Sequence, residues 1–131
     1  MARVYSILIA EPNLMLREKM AGVLSRSKKI WCVTQVDSLH GLTRGISDLQ
    51  PDFILADIVI LMDPETLAEI RRSSASSRVF ALVDSKTEPY IAAARRLGLD
   101  GIIEKGRVAE GILQEIREPG GPGEDLNGKP S

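Results

Sequence analysis

Apolar residues along this chain come in short, dense blocks, separated by stretches in which they recur every three or four positions. The blocks VYSILIA (4–10), IWCVTQV (30–36), FILAD (53–57), VFALV (79–83) and GIIE (101–104) are rich in β-branched side chains and read as five strands. Helical spacing runs from Leu14 to Arg26, Leu39 to Leu49, Pro64 to Ser73, Pro89 to Leu97 and Val108 to Arg117; in the first of these, Leu16, Met20, Val23 and Leu24 share one face. The order is β-α, five times over. Three of the strands are apolar with little alternation, as strands covered by helices on both faces are, so the pattern predicts an α/β fold around a parallel sheet.

Local punctuation agrees with these boundaries. Asp37 and Ser38 offer capping oxygens to the second helix, and Pro64 sits in the first turn of the third, where its missing N–H costs nothing. Pro51 closes the second helical region, and Gly98 follows the fourth helix where a left-handed residue is favoured. The run SSASS (73–77) has the composition of a flexible loop. After Glu118 the sequence PGGPGEDLNGKPS buries too little apolar surface to offset its ordering. The division expected is a domain over residues 1–118 and a disordered tail or linker over 119–131.

Composition narrows the chemistry. With 131 residues, 44% of them hydrophobic, the chain suits one core. Seventeen basic against 18 acidic residues give no whole-molecule field to attract nucleic acid or an anionic membrane. The basic clusters Arg26 to Lys29 and Arg71-Arg72 lie at helix ends, where cations suit the macrodipole, so no nucleic-acid partner is expected. Cys32 is the single cysteine and His40 the single histidine, which excludes an internal disulfide and any zinc site of several such ligands. Trp31 and Cys32 open the second strand and are expected to fill core or cover an edge; His40 is expected at the surface near a helix start. The first apolar run meets Glu11 too soon for a signal segment or a membrane span, so a soluble, cytoplasmic protein is expected.

In an open parallel sheet, ligands bind beyond the carboxyl ends of the strands. Glu11 follows the first strand, Asp57 ends the third, Asp84 follows the fourth and Lys105 follows the fifth, so three acids and a lysine should converge on one edge. The segments ILIAEPNLMLREKM, QPDFILADI and EPYIAAARRLGLDGIIEKG carry a resemblance to the receiver domains of two-component response regulators, over about residues 3–118. The last is the most telling, through the spacing of Tyr90, Gly98, Asp100-Gly101 and Lys105. The chain looks most like receivers that precede a helix-turn-helix domain.

The resemblance implies a flavodoxin-like, doubly wound (β/α)5 fold of strand order 2-1-3-4-5. It also implies that Asp57 is the candidate phosphoacceptor for a histidine kinase and that Lys105 pairs with the phosphoryl oxygens. Such transfer needs a magnesium ion to neutralise developing charge, and the family supplies adjacent acids after the first strand for it. Here that pair reads Glu11-Pro12, so the position matching the direct ligand has no side-chain oxygen. Glu11 and Asp57 remain as metal candidates for a weak site, and no cofactor is expected to be required. Val83 stands where the family has a phosphoryl-gripping hydroxyl, Asp84 where it has a small residue, Ile102 at its aromatic switch position and VILMDPE in place of its Met-Pro-Gly-like loop. Gly106 where relatives carry proline means little.

Two functional readings follow from the resemblance. In the first, the chain is an atypical, non-enzymatic receiver acting as a signalling protein-interaction module, without obligatory phosphorylation, toward a histidine kinase or a downstream protein. In the second, it is a working phosphoacceptor of a phosphorelay, recruiting Asp84 or Asp63 for metal. The family's interaction face, formed by the fourth helix, fifth strand and fifth helix, would present Tyr90, Ala94, Arg95, Ile102 and Glu104. A homodimer through that face could pair Arg95 and Arg96 with Glu110 and Glu115.

Overall fold

The computed structural model describes residues 3–38 and 46–117. Five strands, β1 (Tyr5–Ala10), β2 (Ile30–Val36), β3 (Phe53–Asp57), β4 (Arg78–Val83) and β5 (Gly101–Glu104), form one parallel sheet in the order β2-β1-β3-β4-β5. The helices are α1 (Leu14–Ser25), α2 (46–49), α3 (Pro64–Ser73), α4 (Glu88–Arg96) and α5 (Val108–Arg117). This is the doubly wound, flavodoxin-like arrangement. Each strand matches its predicted block to within a residue at either end.

Alternation along the strands builds two cores. Ile7, Ile9, Phe53, Leu55, Phe80, Leu82 and Ile103 point to one face, where Met20, Leu24, Ile112 and Ile116 of α1 and α5 cover them. Leu8, Ala10, Ile54, Ala56, Val79, Ala81 and Ile102 point to the other, against Ile46, Leu67 and Ile70 of α2 and α3 and Ala94 of α4. With both faces covered, no position in the three inner strands has a reason to be polar until the strand ends. Chemistry is therefore confined to the sheet edge. Close packing of α5 on β5 depends on Gly111, where an added Cβ would stand 3.0 Å from Ile103.

Capping fixes where the helices begin and stop. Asn13 accepts from the Leu16 N–H (2.9 Å) to start α1, and Asp63 accepts from the Glu65 N–H (3.0 Å) to start α3, with Pro64 in its first turn. Gly98, at φ 70°, ends α4: its N–H reaches the Arg95 carbonyl and the Leu99 N–H the Ala94 carbonyl, each at 3.0 Å. Asp37 and Ser38 are exposed after β2, while the residues they were expected to cap, 39–45, together with His40 and the tail after residue 117, lie outside the described residues.

Two expectations need correction. VILMDPE is not all loop: Ile58–Leu61 form one helical turn, with Ile58 and Leu61 buried. The serine run is not loose. Ser74 and Ser77 are buried with their hydroxyl oxygens 2.6 Å apart; the Ser77 hydroxyl donates to the Pro51 carbonyl, and that of Ser74, with one proton to give, lies between Ser77 and Gln50 Oε1, 3.2 Å away. Gln50 in turn donates to the Ser73 carbonyl at 2.8 Å, so composition misled where buried partners were available. Of the two places expected for Trp31, core or edge, the structure gives the edge: it stands exposed on β2, the first strand of the sheet order.

Candidate functional site

Glu11, Asp57 and Lys105 share the parity of the residues facing α1 and α5: Ile9 precedes Glu11 by two, Leu55 precedes Asp57 by two, and Ile103 precedes Lys105 by two. Since β3 lies next to β1, and β5 lies one strand beyond β3's other neighbour, the three side chains converge over the carboxyl edge. Lys105 Nζ donates to Asp57 Oδ2 at 2.6 Å and lies 2.7 Å from Glu11 Oε1. The side chains of Glu11, Lys105 and Asp57 are 4%, 11% and 17% exposed, so this is a largely desolvated trio.

Each carboxylate divides its oxygens between the lysine and the backbone. Asp57 caps the turn that follows it, Oδ1 accepting from the Val59 N–H at 2.9 Å. Glu11 Oε2 accepts from the Asn13 N–H at 2.9 Å, and Arg17 donates to the Glu11 carbonyl at 2.8 Å. These bonds fix where the free oxygens point. Glu11 Oε1, 2.7 Å from the ammonium, is buried and meets no other partner, so Lys105 alone answers it. Burial works against the Lys105 ammonium, but the hydrogen bonds and negative charges of Asp57 and Glu11 outweigh it and hold its pKa above the usual lysine value. The lysine is a fixed internal cation.

The remaining sequence candidates fall around the trio in different ways. Pro12 is exposed beside Glu11 and contributes no oxygen. Val83 is buried with the α3 and α4 side of the core, and its side chain offers no hydrogen-bond donor. Asp84, the next residue, is exposed and has no ion pair among the described residues. Asp63 spends one oxygen as the α3 cap. Among the described residues no group of three or more His, Cys, Asp or Glu side chains is arranged to hold a metal ion.

The expected interaction face is reduced. Ala94 and Ile102 are buried in the core, so of the five residues named for it only Tyr90, Arg95 and Glu104 reach the surface. Helix periodicity explains this: Ala93 and Ala94 form the inward side of α4, and Ile102 alternates inward on β5. The dimer pairing is also depleted, because Glu115 is engaged by Arg78 within the chain and Glu110 by Arg107 at 3.3 Å.

What sequence reasoning missed is the apolar border of the site. Leu14 and Met15 at the start of α1, and Val59 and Met62 after β3, are large apolar side chains left exposed at the same sheet edge as the trio. Their positions next to Glu11 and Asp57 were the available signal.

No family model and no curated protein sequence matches the chain. Solved structures do match. A DNA-binding response regulator of the LuxR family from Staphylococcus aureus is 24% identical, with a TM-score of 0.72 over 89% of this chain and 99% of that one. The receiver domain of the stress response regulator RcsB from Escherichia coli is 14% identical, with a TM-score of 0.72 over 88% and 92%. A LuxR-family two-component response regulator from Aurantimonas sp. SI85-9A1 is 18% identical, with a TM-score of 0.70 over 87% and 83%. The fold is that of response-regulator receiver domains. No helix among the described residues is long and apolar enough to cross a membrane.

Proposed function

We propose that this chain is an atypical receiver: a signalling module that engages a protein partner with Asp57 unphosphorylated, its charge already answered by Lys105. The observation that carries this reading is the closed trio, in which one ammonium stands within 2.7 Å of both carboxylates. A magnesium ion does not fit the donor set. Magnesium needs near-octahedral oxygen coordination, whereas this edge offers two carboxylates that already face a lysine, and a proline at the third position. Phosphoryl transfer relies on positioning and cationic stabilisation, so a site short of a divalent ion is poorly equipped for it. Val83 supplies no hydroxyl to hold a phosphoryl group, and the exposed carboxylate of Asp84 adds repulsion to one carrying nearly two negative charges. The module performs no turnover of its own, needs no cofactor, and works in the cytoplasm; its effect on a partner comes from surface recognition.

One observation favours the second reading, that of a working phosphoacceptor: Asp57 keeps the lysine contact at 2.6 Å, and its side chain is 17% exposed. The two separate on one experiment. The protein is incubated with magnesium and acetyl phosphate, quenched, and its intact mass recorded beside that of Asp57→Ala. No adduct specific to Asp57 is expected. A phosphoryl mass that disappears in Asp57→Ala would overturn the proposal.

A further inference from the structure

Four arginines stand where α3 and α4 end, Arg71 and Arg72 in the last turn of one helix and Arg95 and Arg96 in the last turn of the other. Helices that cross back between parallel strands end at the amino edge of the sheet, so these residues lie just ahead of β4 and β5, at the edge opposite the trio. The two ends meet. Arg71 Nη2 donates to the Gly98 carbonyl at 2.8 Å, tying the last turn of α3 to the residue that closes α4. All four arginines are exposed, and Arg71, Arg95 and Arg96 have no ion pair among the described residues. Glu110 and Glu115, the acids expected to answer Arg95 and Arg96 across a dimer, are engaged by Arg107 and Arg78 instead.

Cations at helix ends ordinarily answer the macrodipole, and here the macrodipole is too small a charge to account for them. Each helix end carries roughly half a negative charge, so the two ends and the Glu69 carboxylate, which Arg72 and Ser73 occupy, balance about two of the four guanidiniums. Asp100, the next acid along the chain, is turned to the Val79 N–H at 2.7 Å, and counting it in full still leaves about one positive charge unanswered. This surplus is local, because the whole chain has a net charge of -1.

From this juxtaposition we propose that the meeting ends of α3 and α4 form a recognition surface for an acidic protein segment, whose carboxylates take the guanidiniums of Arg71, Arg95 and Arg96. A guanidinium is a planar fork that fits a carboxylate through two parallel hydrogen bonds. Arg71 is already held by Gly98, which lowers the cost of ordering it. Other polyanions fit less well. None of the exposed large apolar side chains among the described residues falls within residues 69–78 or 95–100, so bases find no aromatic ring to stack on and a membrane receives nothing to insert. A nucleic-acid strand would also run past the patch onto a chain of net negative charge, whereas a short acidic segment is confined to it. The surface lies away from Asp57, so it goes beyond the atypical-receiver reading and does not depend on it.

The test uses the full chain and a capped, fluorescent peptide in which a run of glutamates is flanked by glycine and serine, titrated by anisotropy at low salt with amide resonances followed in parallel. Saturable binding is expected, with shifts at Arg71, Arg95, Arg96 and Gly98, and it should weaken as salt rises because the contact joins exposed charges. The surface variant Arg95→Gln/Arg96→Gln should lose about tenfold in affinity. Lys28→Gln/Lys29→Gln makes the same change in net charge at exposed positions after α1 and should bind as the wild type does. Equal loss in the two variants, shifts confined to another face, or no saturable binding would each overturn the surface. A single-stranded oligonucleotide that binds as tightly as the peptide, with the same dependence on Arg95 and Arg96, would overturn the acidic protein segment as its occupant.

Discussion

Replacing Lys105 with methionine keeps the apolar stem and removes only the charge that joins the three ends of β1, β3 and β5. In the native protein the ammonium stands 2.6 Å from Asp57 Oδ2 and 2.7 Å from Glu11 Oε1. At an effective dielectric of about 20, each contact has a gross Coulomb energy of roughly 6 kcal/mol, most of it spent on desolvating the charges. What the variant loses is set mainly by what it leaves behind, two buried carboxylates with no cation between them. Breaking a buried pair in this way costs about 3–5 kcal/mol, a large share of a domain's stability. Urea unfolding at pH 8, read by far-ultraviolet circular dichroism, should therefore place Lys105→Met about 4 kcal/mol below the wild type. The pH dependence carries a second signature. The folded-state pKa of Lys105 is raised, so its stabilisation is fully present below the unfolded lysine value of about 10.4 and is lost as pH rises through the higher folded value. The gap between wild type and variant should hold from neutral pH to about pH 10 and close above it. A gap under about 1 kcal/mol at pH 8, the range of an exposed surface pair, would refute the closed trio.

Two other changes probe the frame around the site. Gly98→Ala has room for its methyl group, 3.9 Å from Arg71 Nη2, but must adopt φ 70°, so a loss of about 1 kcal/mol is expected from the urea midpoint, with no change in slope. Ser77→Ala removes one member of the buried network linking Ser74, Gln50 and the Pro51 carbonyl and should cost about 1–3 kcal/mol, read as a lowered thermal midpoint; a neutral result would mean that water replaces the hydroxyl.

Much of the fold was legible because the strands carry their own signal. FILAD and GIIE are apolar up to a single terminal acid, and the structure ends β3 and β5 on those acids. The convergence of Glu11, Asp57 and Lys105 was legible too, since it follows from strand parity and the edge rule. What could not be read was local context. VIL after Asp57 has strand-like composition, yet Asp57 caps it into a helical turn, because the β3 carboxylate is placed to accept from the Val59 N–H. Ala94 and Ile102 were assigned to a surface from resemblance alone, whereas the inward side of α4 is decided by which of its small residues must pass over the sheet. Trp31 and the serine run show the same limit: exposure of an aromatic and burial of hydroxyls depend on neighbours far along the chain.

At the carboxyl edge a metal ligand is missing beside a resident ammonium, and magnesium binding tests this most directly. Isothermal titration at millimolar magnesium, with amide shifts of Asn13 and Val59 followed in parallel, should show no saturable site in the wild type. Restoring a carboxylate in Pro12→Asp should raise affinity by more than about tenfold, since a direct ligand is worth at least as much as the groups that orient one. A wild-type protein that binds magnesium tightly at Glu11 and Asp57, with Pro12→Asp adding nothing, would contradict it.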